Sequence, residues 1–203
     1  MRNLLAVSIG LAILGVFCLP AYGVTTFDTD TVWHVMQVPK IASGFAYHSR
    51  PWATWLLTSF HVVDGSGRIL VWRDNLQQIF TAQLVAGNSE WDFAVLKVNI
   101  GKQPCLSLGT DVETGDPICT FGHVTDTAGL YLTGSKIGTI MDNYSLSSWQ
   151  LGKGGSGSPV VDMRTGRVAG IIGGVVVAER LQPASVYIPV GRVLAWLERE
   201  RLL

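Results

Sequence analysis

The chain has 203 residues, a length typical of one domain. Its 15 basic and 15 acidic residues cancel, and only 15% of all residues are charged. That balance excludes the basic patch of a nucleic-acid-binding protein and an acidic interaction tail. The 23 glycines are typical of an all-β chain with many turns.

The first 23 residues have the pattern of a secretory signal. Arg2 precedes an uncharged apolar run, 4–19, and Pro20 and the small residue Gly23 follow it. We expect cleavage after Gly23 and a secreted or periplasmic protein. The alternative is an uncleaved segment that anchors the protein in a membrane, since the apolar run is close to the minimum length for a span.

The rest of the chain reads as short strands separated by turn signals, after an N-terminal extension over 24–40. Regularly spaced short strands favour barrels. One barrel is expected over about 41–100 and a second over about 101–190, within one domain, 41–203. Apolar residues at helical spacing over 190–203 predict a C-terminal helix docked on a barrel. The predicted strands are 44–47, 53–58, 68–73, 79–86 and 93–99 in the first barrel, then 117–121, 129–141, 159–162, 167–177 and 185–189.

The segment 154–159, Gly-Gly-Ser-Gly-Ser-Pro, is an unusual way to build a turn. Glycines lose much conformational entropy when they are ordered, so three in four residues suggest a purpose for the backbone N–H groups. One such purpose is to bind the oxyanion that forms when the Ser156 hydroxyl attacks a carbonyl. An ordinary glycine turn is the alternative when the segment is taken alone.

Two further residues supply what a nucleophilic serine needs, a base and a carboxylate that orients it. His61 lies in a short turn after an apolar strand, and Asp92 stands at the head of another. Each could be structural by itself, as a strand-end histidine and a strand cap. The order His61, Asp92, Ser156 makes three separate coincidences a poor explanation.

Five segments carry a family resemblance. Residues 57–63 (Leu-Thr-Ser-Phe-His-Val-Val), 92–98 (Asp-Phe-Ala-Val-Leu-Lys-Val) and 154–159 resemble the histidine, aspartate and serine motifs of chymotrypsin-like serine proteases, especially the bacterial trypsin-like and HtrA/Deg branch. Residues 166–171 and 186–190 resemble the strands that follow the serine. The resemblance runs over about 42–197 and implies two six-stranded antiparallel β-barrels with a C-terminal helix. It covers a catalytic domain without a PDZ domain.

The resemblance implies an exported serine endopeptidase that acts on proteins or peptides. Ser156 would be the nucleophile, His61 the general base and Asp92 its orienting carboxylate, with the N–H groups of Gly154 and Ser156 as the oxyanion hole. The alternative is a protease-like binding module without activity. Gly155 stands where trypsin-like zymogens carry an acidic residue, which argues for an enzyme competent as folded or controlled by loop ordering.

Position relative to Ser156 also implies the substrate-binding residues, which carry no charge. Cleavage after small or medium uncharged side chains is therefore expected. The residues are Gln150 and Leu151 at the base of the primary pocket, Ile172, Gly173 and Gly174 along the substrate-pairing strand, and Ser185 and Tyr187 on the far wall.

Cys105 and Cys119 flank a turn-rich segment and could form a disulfide in an exported protein. The alternative is two buried thiols that pack as small hydrophobic groups. Sequence alone leaves both open.

The histidines outside the motif suggest no metal site. His34 and His48 are expected at the surface, and His123 lies on a loop that in this family passes near the leaving group, where it is either structural or in contact with substrate. No metal-ligand spacing links the histidines and cysteines, so we expect no metal and no cofactor.

Overall fold

A computed structural model describes residues 28–124, 129–140, 144–176 and 183–203. The predicted signal segment, 1–23, lies outside these residues. No helix within the described ranges is long and apolar enough to cross a membrane.

Twelve strands in the described residues form two closed antiparallel barrels, as the fold-class prediction stated. Around the first barrel the strand order is β1-β2-β3-β6-β5-β4, and around the second it is β10-β11-β12-β9-β8-β7. The first barrel comprises β1 (Val32–Gln37), β2 (Lys40–Arg50), β3 (Ala53–Thr58), β4 (Ile69–Trp72), β5 (Phe80–Asn88) and β6 (Phe93–Val98). The second comprises β7 (Pro117–Gly122), β8 (Leu130–Ile140), β9 (Tyr144–Ser147), β10 (Pro159–Asp162), β11 (Arg167–Val176) and β12 (Ala184–Pro189).

Two helices complete the fold. A single turn, α1 (Phe60–Val63), follows β3, and α2 (Val190–Arg199) follows β12. The predicted C-terminal helix is therefore present, although it ends before 203.

The predicted N-terminal extension over 24–40 is wrong for its described part. Residues 32–37 form β1, which pairs with β2 from Val32 opposite Phe45 to Gln37 opposite Lys40, and also pairs with β4. Trp33 and Val35 are fully buried on this strand. The first barrel therefore begins at Val32, because β1 is needed to close it.

The strand β9 was also missed, and its composition explains why. Its sequence, Tyr-Ser-Leu-Ser, lacks the β-branched run typical of a strand. Its serines 145 and 147 are nevertheless buried, because β9 lies between β8 and β12 and its backbone is paired on both sides.

One hydrophobic core joins the two barrels and α2. It includes Phe45 and Leu57 from the first barrel, Ile171 from the second, and Trp196 from α2. The ring of Trp196 packs edge-on against Phe93, with centroids 5.0 Å apart. This shared core holds the loops of the two barrels in a defined relation to each other.

Candidate active site

Asp92 accepts three hydrogen bonds in the first barrel, two from His61 and one from its neighbour Phe60. Its Oδ2 lies 2.7 Å from His61 Nδ1, its Oδ1 accepts the His61 backbone N–H at 2.8 Å, and its carbonyl accepts the N–H of Phe60 at 3.2 Å. An ionised carboxylate only accepts, so Nδ1 is the donor and the unprotonated nitrogen of neutral His61 is Nε2. The ring is therefore oriented as a base requires.

Asp92 adopts a backbone conformation that is unusual for a non-glycine residue. Its φ is 57°, in the left-handed region that aspartate tolerates better than most residues. This turn precedes β6, and it allows both the carboxylate and the carbonyl of Asp92 to accept hydrogen bonds from α1.

The hydrogen bond that His61 donates to Asp92 raises the pKa of His61 above its usual value of 6.5. Partial burial opposes this shift, and the charge of Asp92 adds to it. Protonated His61 is thus stabilised where it stands.

The loop that carries Ser156 is fixed against Ser43 of the first barrel. The Ser43 N–H donates to the Ser156 carbonyl at 2.9 Å, and the Ser43 hydroxyl donates to the Gly154 carbonyl at 2.9 Å. A Cβ on Gly157, where φ is 82°, would lie 2.1 Å from the Ser43 carbonyl oxygen. Only glycine allows the loop to approach β2 so closely.

Two backbone N–H groups of this loop are not used by the fold. Gly155 donates to the Gly152 carbonyl, Gly157 to that of Ile172 and Ser158 to that of Gly155. The N–H groups of Gly154 and Ser156, by contrast, donate to no group of the described ranges. These are the two donors that the sequence analysis assigned to an oxyanion hole.

His61 and Ser156 line one open cavity of about 410 Å³, with Gly154 beside them. Their side chains form no hydrogen bond with each other in the structure. Catalytic hydrogen bonds are often long without substrate and tighten when it binds, so the absence of this contact does not argue against a pairing of His61 with Ser156.

Comparison with known proteins identifies a family for this chain. The family model described as "trypsin-like peptidase domain" matches residues 42–171. The chain belongs to this family. Among curated proteins, none matches its sequence.

Solved structures agree in fold with this trypsin-like peptidase. A serine endoprotease from Yersinia pestis superposes with a TM-score of 0.73 at 21% identity, over 84% of this chain and 62% of that one. The inactive form of the Rv3671c protease superposes with a TM-score of 0.70 at 20% identity, over 84% and 88% of the two chains. The peptidase thus spans about 62% of the length of the Yersinia pestis protein.

A second cavity, of about 280 Å³, is also lined by Ser156. Of the predicted substrate-binding residues, four line this cavity. Gly152, Lys153 and Val175, which the prediction did not include, line it too. The four are Gln150, Leu151, Ile172 and Gly174.

The other three predicted substrate-binding residues do not line this cavity. Ser185 is fully buried, and its hydroxyl accepts the N–H of Leu151 at 2.8 Å. Tyr187 is in the core of the second barrel, and Gly173 faces Asp92, whose Oδ2 would lie 3.8 Å from a Cβ there. Ser185 and Tyr187 support the wall from behind, because side chains alternate between the two faces of a strand.

Lys153 is the residue that sequence analysis missed most clearly. It lines both cavities and directly precedes residues 154–159, the glycine loop that carries Ser156. It brings a basic residue to the wall of a pocket that was expected to be uncharged. Its place directly before Gly154 was the available signal.

The disulfide between Cys105 and Cys119 does not form in the structure. Both are free thiols, and only Cys119 is buried. Cys105 is exposed, and its thiol contacts the Gln103 carbonyl oxygen at 3.5 Å. Cys119 is therefore a buried thiol, as the alternative expected, whereas Cys105 is not.

Of the two histidines expected at the surface, His34 is the more enclosed. His48 is half-buried and accepts a hydrogen bond from Arg50. His34 stacks between Trp72 and His123, and its side chain is only 15% exposed. His123 is 5% exposed and lines neither of the two cavities at Ser156. Burial, with a smaller effect of His34, lowers its pKa to about 4.

Proposed function

We propose that this peptidase is a serine endopeptidase that cleaves peptide bonds through a covalent acyl-enzyme on Ser156. The observation that supports it most is the coincidence at one cavity of three features. These are a histidine oriented by a carboxylate, a serine on the facing loop, and two unused N–H groups beside that serine.

The proposed reaction starts when the Ser156 hydroxyl attacks the substrate carbonyl and its proton passes to Nε2 of His61. Asp92 accepts the Nδ1–H throughout and stabilises the imidazolium. His61 then gives the proton to the leaving amine, which departs as the C–N bond breaks. Water, deprotonated by His61, hydrolyses the ester and restores the Ser156 hydroxyl.

The N–H groups of Gly154 and Ser156 would bind the oxygen that becomes negative in the tetrahedral intermediate. Their value lies in being positioned before the reaction, so that no reorganisation accompanies the developing charge. One such donor contributes roughly 2.7–4 kcal/mol to transition-state stabilisation.

The 280 Å³ cavity is proposed to bind the side chain that precedes the cleaved bond, with cleavage after small or medium uncharged residues. Lys153 at its wall adds a reason to disfavour lysine and arginine, because positively charged side chains repel each other. A peptide library analysed by mass spectrometry checks this. Dominant cleavage after lysine or arginine would contradict it.

We further propose that the protein is exported, which rests on the charged start, apolar run and small residues of 1–23. Expression in a bacterium and N-terminal sequencing of the purified protein is the test. A mature N-terminus at Val24 supports cleavage after Gly23, whereas a membrane-bound chain with its first residues intact supports the anchor.

The deciding experiment is labelling of the purified protein with a fluorophosphonate probe, which reacts only with an activated serine. We expect labelling that disappears in Ser156→Ala, while Ser158→Ala, which removes the next serine of the same loop, is still labelled. Absence of labelling in a folded protein would favour the inactive binding module. The structure is compatible with that alternative, because the side chains of His61 and Ser156 form no hydrogen bond with each other.

A further inference from the structure

Three side chains that are far apart in sequence meet where the barrels adjoin. His34 lies on β1, Asp74 follows β4, and His123 follows β7. One ligand atom from each lies within 4.8 Å of those of the other two. His34 Nε2 is 2.9 Å from one carboxylate oxygen of Asp74, and His123 Nδ1 is 3.9 Å from the other.

The ring nitrogens of His123 are poorly satisfied within the fold. Both are buried and lack a hydrogen bond of normal geometry among the described residues; the Val32 backbone and, at 3.9 Å, Asp74 Oδ2 approach the ring. A buried polar atom without a partner costs roughly 1–3 kcal/mol, so its retention calls for an explanation. The backbone N–H of His123 is satisfied by the Ser43 hydroxyl at 2.9 Å, which leaves the side chain alone in need of a partner.

We propose that His34, Asp74 and His123 bind a divalent transition-metal cation of the zinc type. Two imidazoles and one carboxylate are a donor set that Zn²⁺ prefers. The proposal concerns a site away from the Ser156 cavity and does not depend on the proposed protease activity.

The geometry needs a modest rearrangement. A tetrahedral zinc with bonds of about 2.0–2.1 Å holds its ligand atoms about 3.3 Å apart, compared with up to 4.8 Å here. The rings of His34 and His123 are stacked, with centroids 3.5 Å apart and planes inclined by 25°, so they must tilt apart to share one ion. A cavity of about 170 Å³ beside Asp74 and His123 provides space for that movement.

The charges around the site are mixed. Asp30 lines the same cavity, where Asn75 donates to its carboxylate at 2.8 Å. Arg73 also lines it, but its guanidinium donates to the Asp30 carbonyl and to Gln103. Two carboxylates thus oppose one guanidinium, which leaves the surroundings favourable to a cation.

A bound cation would connect the two barrels. Two of its ligands belong to the first barrel and the third to the second. The same connection continues to the glycine loop, because the Ser43 hydroxyl accepts the His123 N–H and donates to the Gly154 carbonyl. Binding to the folded state alone would stabilise the protein.

Isothermal titration of ZnCl₂ into the full chain, stripped of metal with a chelator and carrying Ser156→Ala to prevent self-digestion, tests the site. We expect one Zn²⁺ per chain and a rise in Tm. Asp74→Asn and His34→Gln should each weaken binding at least ~10-fold, since even second-shell changes at zinc sites cost 10–100-fold. Asp74 is 59% exposed, so Asp74→Asn is the variant most certain to fold, and circular dichroism checks it.

His48→Gln and His61→Gln are the matched controls and should leave the affinity unchanged. No binding by the folded parent protein would overturn the proposal. Binding that survives both Asp74→Asn and His34→Gln, or that is lost in His61→Gln, would also overturn it, because zinc would then be bound elsewhere. All readouts are made in a protein without Ser156, so they are independent of whether the proposed protease activity is correct.

Discussion

Single residues determine how the candidate active site is held together. Asp92 uses its carbonyl and both carboxylate oxygens on α1, and Ser43 uses its N–H and hydroxyl on the glycine loop. The sequence motifs identified Asp92 but not Ser43, because Ser43 holds the glycine loop through contacts with residues more than a hundred positions away.

At the residue scale, we predict how peptidase activity depends on pH. In the proposed mechanism His61 must be neutral to accept the Ser156 proton, and its pKa is raised by the hydrogen bond that it donates to Asp92. Activity should therefore be lost as pH falls through an apparent pKa above 6.5, measured as kcat/KM against pH. In Asp92→Asn, kcat should be about 10⁴-fold lower than in the parent enzyme. An acid limb below 6.5 in the parent enzyme would contradict the prediction.

Ser43→Ala should reduce activity without a change at the reacting atoms. The variant leaves the His123 N–H and the Gly154 carbonyl without their partner, at a stability cost of about 1–3 kcal/mol. Since the freed Gly154 carbonyl belongs to the glycine loop, which is proposed to supply the oxyanion hole, we expect kcat to fall and KM to change little in steady-state kinetics. Ser66→Ala, at an exposed turn, is the control. Equal losses of kcat in Ser43→Ala and Ser66→Ala would show that Ser43 does not position the glycine loop for the reaction.

Elements come next, and here strand pairing decided what local pattern could not. β1 and β9 were not predicted as strands, whereas the other ten strands each overlap a predicted one. Residues 32–37 alternate poorly and β9 is rich in serine, but both complete the hydrogen bonding of a closed barrel. Closure of the barrel outweighs weak local propensity.

The approach of the glycine loop to β2 gives a prediction at the element scale. Gly157→Ala would place a Cβ 2.1 Å from the Ser43 carbonyl oxygen and 2.6 Å from Thr58 Oγ1, at a φ of 82°. We expect a stability loss of about 2 kcal/mol or more, together with loss of activity, by urea unfolding and peptide hydrolysis. Gly138→Ala, on β8 with nothing within 4 Å of the added Cβ, should change stability by less than about 1 kcal/mol. The two variants should differ clearly, and similar stabilities would show that the loop can move away.

Across the whole molecule, the shared core should make the two barrels unfold together. Trp196 on α2 packs in the cluster that contains residues of both barrels. Trp196→Ala should therefore lower the free energy of unfolding by about 3–5 kcal/mol while the transition remains single. Urea unfolding followed by circular dichroism and by proteolysis is the measurement, with the exposed Leu203→Ala as control. Two separate transitions would show that the barrels are independent.

The sequence by itself determined the architecture and the family. The fold class and the membership in trypsin-like peptidases follow from apolar strands with turn punctuation and from three motifs in order, all local signals that can be read within ten residues. The roles of His61, Asp92 and Ser156 remain predictions, although they stand where the motifs implied.

Only the tertiary structure decided which distant residues meet. It closed the barrel with β1, placed Ser185 and Tyr187 behind the pocket wall, left Cys105 and Cys119 unbonded, and brought His34, Asp74 and His123 together. Each of these depends on pairing and packing between segments separated by tens of residues. Strand register and shared core contacts set such distances, and neither leaves a mark in the local pattern of the chain.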